Sequence, residues 1–152
     1  MGIFAFMVIV GLLAPEPTPE QLAEREAKRA AEEAEEAAER QAEAQAKIDG
    51  AYKITSRELA AAYENNEVRA QQVLGDRDPL VTGRITAITL DFSDDPVVQM
   101  QGTNQFLDVQ ADLNDKSAAA ALNKGQTITL LCSEVTEVIS APMLSDCELI
   151  EE

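Results

Sequence analysis

The chain contains no histidine among its 152 residues. Histidine is the usual general base near neutral pH and the commonest metal ligand, so neither a Ser-His-Asp nor a Cys-His arrangement is available. The remaining nucleophile candidates are Cys132 and Cys147, fifteen residues apart. Two thiols do not complete a four-ligand zinc site. Cys132 also lacks a His or nearby Lys that would favour its thiolate, which argues against a catalytic thiol. Asp91, Asp94 and Asp95 crowd into "DFSDDP", and calcium takes oxygens of this kind. An EF-type loop, however, needs regular ligand spacing and a bidentate Glu at its twelfth position, and neither is present. A solvated acidic turn is the expectation there. No catalytic, cofactor-binding or metal-ligating residue is assigned, and binding or structure is expected rather than catalysis.

Charge narrows the partner. The chain carries 28 acidic and 12 basic side chains, a formal charge of −16. From Lys53 to Glu152 there are 17 acids and 7 bases, a net of −10. Affinity for nucleic acid rests largely on Lys and Arg displacing counterions from phosphates, so nucleic acid is an unfavoured partner. The few aromatics in this region, Tyr52, Tyr63, Phe92 and Phe106, form no ladder on which bases would stack. A protein, peptide or glycan is the expected partner.

The elements that must carry such a surface fall into three parts, residues 1–19, 20–49 and 53–152. Residues 3–14, "IFAFMVIVGLLA", are an apolar run of twelve, short of the roughly 20 that a spanning helix needs. No Lys or Arg precedes it, and Pro15 follows the one small-residue cleavage point at Ala14, a poor match to a signal peptide. A shortened membrane anchor or export segment is the expectation, with a buried leader as the alternative. "PEPTP" at 15–19 makes a stiff spacer. From Glu20 to Lys47 nearly every residue is Ala, Glu, Gln, Lys or Arg, with Glu24–Lys28, Glu36–Arg40 and Glu43–Lys47 at i, i+4. No apolar seam recurs after Leu22, so a solvated single helix is predicted rather than a coiled coil, Ala-faced pairing being the second option.

The third part, about 100 residues, is large enough to fold without a cofactor. Thr55-Ser56-Arg57-Glu58 is a capping box. Leu59, Ala62, Tyr63, Asn66, Ala70 and Val73 then share one face at helical spacing, until Gly75 stops the helix. Beyond it the period changes. "PLVTGRITAITL" (79–90), "VVQMQ" (97–101) and "QFLDVQADL" (105–113) read as strands, with Gly83 at a bend. "KSAAAALNKG" (116–125) is a short helix, and "QTITLLCSEV" (126–135) and "PMLSDCELI" (142–150) are two further strands. Three strands, a helix and two strands is the order of an OB-fold. The expected fold is mainly β with helices: a five-stranded OB-fold barrel, preceded by a capping helix and a long N-terminal solvated helix.

Tyr63-x-x-Asn66-Glu67-x-x-Ala70, then Gly75, "VTGRITAI", Leu122-x-x-Gly125 and Asp146-Cys147, resemble the tRNA_anti-like OB-fold family over roughly residues 53–150. The resemblance implies a small bacterial protein behind an N-terminal membrane segment or signal. The family name records likeness to anticodon-binding domains, not tRNA binding. Near Gly75 stand Val73 and Asp76, where the family usually has Tyr and Lys, which speaks against an anion at that edge. Tyr63, Asn66, Glu67 and Ala70 are expected to form a helix–barrel motif, with Asn66 turned inward to pair exposed backbone at an open barrel end.

Cys132 shares a strand face with Ile128 and Leu130, and Cys147 alternates with Met143, Ser145 and Leu149. Both should face inward on neighbouring strands joined across "TEVISA", close enough for a disulfide; two small core residues are the alternative. An exported domain would oxidise such a pair. The expected function is a non-enzymatic extracytoplasmic binding module on a helical stalk, at the bacterial membrane or cell envelope. A cytosolic single-strand nucleic-acid binder and a purely structural tether are the alternatives.

Overall fold

In a computed structural model the described residues are 18–138 and 141–150. The apolar segment 3–14, and with it the expected membrane contact, lies outside them. Among the described residues no helix is long and apolar enough to cross a membrane. The chain divides into two compact units, Met1–Ala42 and Glu43–Glu152, with the boundary inside its first helix.

That helix, α1, runs Pro19–Gly50, 32 residues with none buried. At about 1.5 Å per residue it is about 48 Å long. Helix-forming residues and one-turn ion pairs account for it without a core. Arg40 pairs with Glu36 at 3.0 Å, as the spacing predicts, but Lys28 pairs forward with Glu32 at 3.9 Å rather than back to Glu24.

In the second unit, β1 (Tyr52–Thr55) leads directly into α2 (Ser56–Leu74). The capping box forms as predicted: Glu58 N–H donates to Thr55 Oγ1 at 3.2 Å, and Thr55 N–H donates to Glu58 Oε2 at 3.0 Å. Hydrogen bonds from the Thr55 backbone, then from its hydroxyl, hold the Glu58 carboxyl below the usual range. Gly75, at φ 61°, ends the helix with its N–H donating to Gln71 O. Arg77 adds a second cap, donating to Val73 O at 2.6 Å and Leu74 O at 3.3 Å while its guanidinium lies 4.5 Å over the Tyr52 ring.

The other strands are β2 (Pro79–Leu90), β3 (Pro96–Met100), β4 (Val109–Leu113), β5 (Thr127–Leu131), β6 (Glu134–Val138) and β7 (Ala141–Ile150), with α3 (Lys116–Ala121) between β4 and β5. Five of them form a closed ring of pairings. β2 pairs antiparallel with β3, β3 with β4, β7 with β5 and β5 with β2, while β4 and β7 are parallel. β2 belongs to two neighbours because it is long: Leu80–Arg84 lies against β5 and Ile85–Leu90 against β3.

Seven strands, not the expected five, make the sheet. β1 adds in parallel to β2 outside the ring, and β6 pairs with β7. The predicted strand 126–135 is broken at Cys132–Ser133, where the chain leaves β5 and crosses to the other part of β7. The predicted strand 105–113 begins only at Val109. Its earlier residues form a loop tied by Asp108, whose carboxylate accepts from Gly102 N–H at 3.1 Å and from Thr86 Oγ1 at 2.6 Å.

The core collects Leu59 and Tyr63 of α2 against Val81, Ile85, Leu130 and Leu144 of the ring. One polar tie crosses this contact: Ser56, 1% exposed, donates from Oγ to Gln101 O at 2.7 Å. Gly83 makes room for it, since a Cβ there would stand 2.5 Å from Ser56 Oγ. Ser56 therefore holds the role that the sequence suggested for Asn66.

Candidate functional site

The motif Tyr63–Ala70 splits between two surfaces. Tyr63 and Ala70 are buried against the ring, whereas Asn66 and Glu67 are exposed. Asn66 does not reach inward because it is not helical: at φ −169° and ψ 97° its backbone is extended and kinks α2. Its Oδ1 accepts from Arg69 N–H at 3.0 Å, so it serves as the N-cap of the helix's second half. Asn66→Ala is expected to lower stability by about 1 kcal/mol, the usual worth of such a cap, with Asn66→Asp restoring most of it in thermal melts.

Tyr63 is 3% exposed, and its hydroxyl has no hydrogen-bond partner among the described residues. Burial raises its pKa, and the carboxylates of Glu67 and Glu137 add to the shift. The neighbouring Glu137 carboxyl of β6, then desolvation, raises the Glu67 pKa above the usual range.

Asn65, Asn66 and Arg69 stand at one edge of a cleft of about 500 Å³ between β1 and α2. Its walls are apolar, chiefly Tyr52 and Ile54 from β1 with Leu59, Ala62 and Val73 from α2. Such a volume and lining suit a small ligand or a side chain. The rim has spare hydrogen-bonding capacity. Asn65 donates from Nδ2 to Ala61 O at 2.7 Å, leaving its Oδ1, and Asn66 uses Oδ1, leaving its Nδ2. The Arg69 guanidinium has no ion pair among the described residues. A second cleft, of about 490 Å³ beside α3, has no charged lining, and its Thr82 and Thr129 hydroxyls already bond each other at 2.9 Å.

The acidic turn 91–95 is closed by hydrogen bonds of its own. Asp91 Oδ1 accepts from Ser93 N–H at 2.7 Å and Asp95 N–H at 2.9 Å, and Asp95 pairs with Lys116 at 3.2 Å. Among the described residues no group of three or more His, Cys, Asp or Glu could hold a metal ion. Asp112 nearby has a buried Oδ1 without a partner among the described residues. Desolvation, then the charges of Asp91, Asp146 and Asp95, push its pKa up. A carboxyl with a raised folded pKa binds protons better when folded, so stability falls as pH rises from the unfolded value, about 3.9, to the folded one. Asp112→Asn is thus expected to raise the melting temperature at pH 7, the gain vanishing below about pH 4.

Cys132 and Cys147 form a disulfide, with Cα atoms 4.1 Å apart. The register explains it: Leu131 faces Glu148 across β5 and β7, so the next pair inward is Cys132 and Cys147. Both are 1% exposed.

Sequence reasoning missed Tyr52, Asn65 and Arg69 as cleft residues. One signal was present. Within one turn of Arg69 stand Asn65, Asn66, Gln72 and Val73, so in an acid-rich chain this cation has no carboxylate at i±3 or i±4.

No curated protein matches the chain. A solved structure similar to it comes from Klebsiella pneumoniae and bears the provisional name of a nucleic acid-binding lipoprotein. The TM-score is 0.50 at 17% identity, covering 68% of this chain and 95% of that one. At that identity the likeness concerns the fold. The tRNA_anti-like family pattern matches residues 1–148. That span includes the Tyr63-x-x-Asn66-Glu67-x-x-Ala70 signature, the strands of the ring and the Cys147 end of the bridge, and the chain belongs to the tRNA_anti-like family.

Proposed function

We propose that the chain is a non-enzymatic, exported binding module whose ring of five strands is an OB-fold barrel, carried on the solvated helix α1, with a polypeptide as its ligand. The strand order supports the barrel: three strands, a helix and two strands, with the third and fifth ring members parallel. The disulfide supports an oxidising compartment, and the lipoprotein name of the Klebsiella structure points the same way. The domain division follows, with 20–49 as stalk and 53–152 as binding domain.

The observation that carries the ligand is the cleft between β1 and α2, apolar within and amide-rimmed, in a domain of net charge −10. Apolar walls take side chains, and spare amides take backbone groups. β1 is an edge strand, but Lys53 at its centre discourages another strand from adding along it, so the cleft and not the edge is the docking point.

Nucleic acid is the second reading. The name of the Klebsiella structure favours it, as does the gathering of Lys53, Arg57, Arg69 and Arg77 on β1, α2 and its cap. Net charge opposes it. The test titrates the isotope-labelled full chain with a pool of short random-sequence peptides and, separately, with a single-stranded oligothymidylate. Peptide-dependent shifts at Ile54, Asn65 and Arg69, with oligonucleotide binding absent below roughly 100 μM at physiological salt, are expected. Tight, salt-dependent oligonucleotide binding would replace the polypeptide with nucleic acid, and silence towards the peptides would remove it.

A further inference from the structure

We infer that the cleft between β1 and α2 takes the C-terminal end of a polypeptide: its last, apolar side chain between the walls and its α-carboxylate on Arg69. The inference rests on the polypeptide reading above and names which part of the polypeptide binds.

Charge comes first. Twelve basic residues face 28 acidic ones in this chain, and Arg69 is the one charged side chain in the lining of the cleft. Arg69 makes no ion pair among the described residues, and at i±3 and i±4 its own helix offers only Asn, Gln and Val. A guanidinium presents a planar fork of donors that matches a carboxylate, and charge-assisted pairs of this kind are stronger than neutral ones. The cap at Asn66 sets a further donor beside it. Oδ1 is engaged by Arg69 N–H, and the amide Nδ2 is left without a partner among the described residues. Fork and amide together form a donor set suited to one carboxylate.

The acceptor comes next. Asn65 spends its Nδ2 on Ala61 O and keeps its Oδ1 free at the same rim. The last peptide N–H of a chain lies beside its α-carboxylate and would meet that oxygen. A fatty acid has carboxylate and apolar tail but no such N–H, so the Asn65 acceptor selects a polypeptide. An Asp or Glu side chain would bring charge without an apolar group to fill the space between Ile54, Leu59 and Ala62. An internal segment would fill the space and leave Arg69 unpaired. A chain terminus ending in an aliphatic residue meets all three features at once.

Fluorescence anisotropy on the full chain tests this with a labelled five-residue peptide ending in Ala-Leu, as free acid and as C-terminal amide, with laurate as competitor. The free acid should bind at least about tenfold more tightly than the amide, the size of one charge-assisted pair. Arg69→Gln should bring acid and amide to the same weak affinity, and Arg69→Lys should keep part of the preference. Arg69 is exposed, so these variants should melt like the parent. Val73→Glu, at a position 48% exposed, supplies the missing carboxylate at i+4 and should weaken the free acid selectively. Equal affinity for acid and amide would overturn the terminus assignment while leaving the polypeptide reading standing. Failure of both peptides to bind, with or without binding of laurate, would overturn both.

Discussion

Reducing the Cys132–Cys147 disulfide is expected to destabilise the domain by about 3 kcal/mol, the chain-entropy value for a closed loop of about fifteen residues. The bridge joins residues separated by 15 in sequence, at the point where β5 ends and the chain crosses to β6. It also ties two members of the ring, because β7 pairs with both β5 and β4 near Cys147. Reduction frees the unfolded chain and leaves two buried thiols in the folded one, both at sites 1% exposed. For a domain of this size the melting temperature should fall by roughly 10–20 °C. Denaturant titration with and without a reductant checks it. A midpoint that does not move would show that the pairings of β5 and β7 hold that end without the bridge.

Leu59→Ala should cost a similar amount, about 2–5 kcal/mol, because it opens a cavity where relaxation is restricted. Leu59 is 0% exposed and sits one turn into α2, directly after the capping box and next to the Ser56–Gln101 tie. Its neighbours are held by the capping hydrogen bonds on one side and by the closed ring on the other, so little can collapse into the space. Val68→Ala, at a position 66% exposed on the same helix, is the control and should change stability by less than about 0.5 kcal/mol. If the two variants melt alike, α2 is not anchored to the ring through Leu59. The same substitution should also disturb the cleft, since Leu59 forms part of its wall.

Features whose partners lie within a few residues were legible in the sequence. The Thr55–Glu58 box, the stop at Gly75 and the solvated character of α1 all depend on contacts three or four residues apart. Alternation along the last strands placed Cys132 and Cys147 on inward faces because side-chain direction in a strand has period two. Tertiary structure decided what helical spacing left ambiguous. Asn66 occupied an apolar-stripe position, but an Asn can bond backbone locally, and once the second half of α2 was capped by its Oδ1 the side chain turned to solvent. The polar tie fell to Ser56, whose acceptor Gln101 is 45 residues away and whose room depends on Gly83. Likewise β1 and β6 did not stand out as separate strands in the sequence; each is a strand through its pairing with the backbone of β2 or β7. The cleft belongs to this second class. Arg69 could be seen to lack an acidic neighbour on its own helix, but only the docking of β1 against β2 sets apolar Tyr52 and Ile54 opposite it, through hydrogen bonds made to a strand more than twenty residues further along.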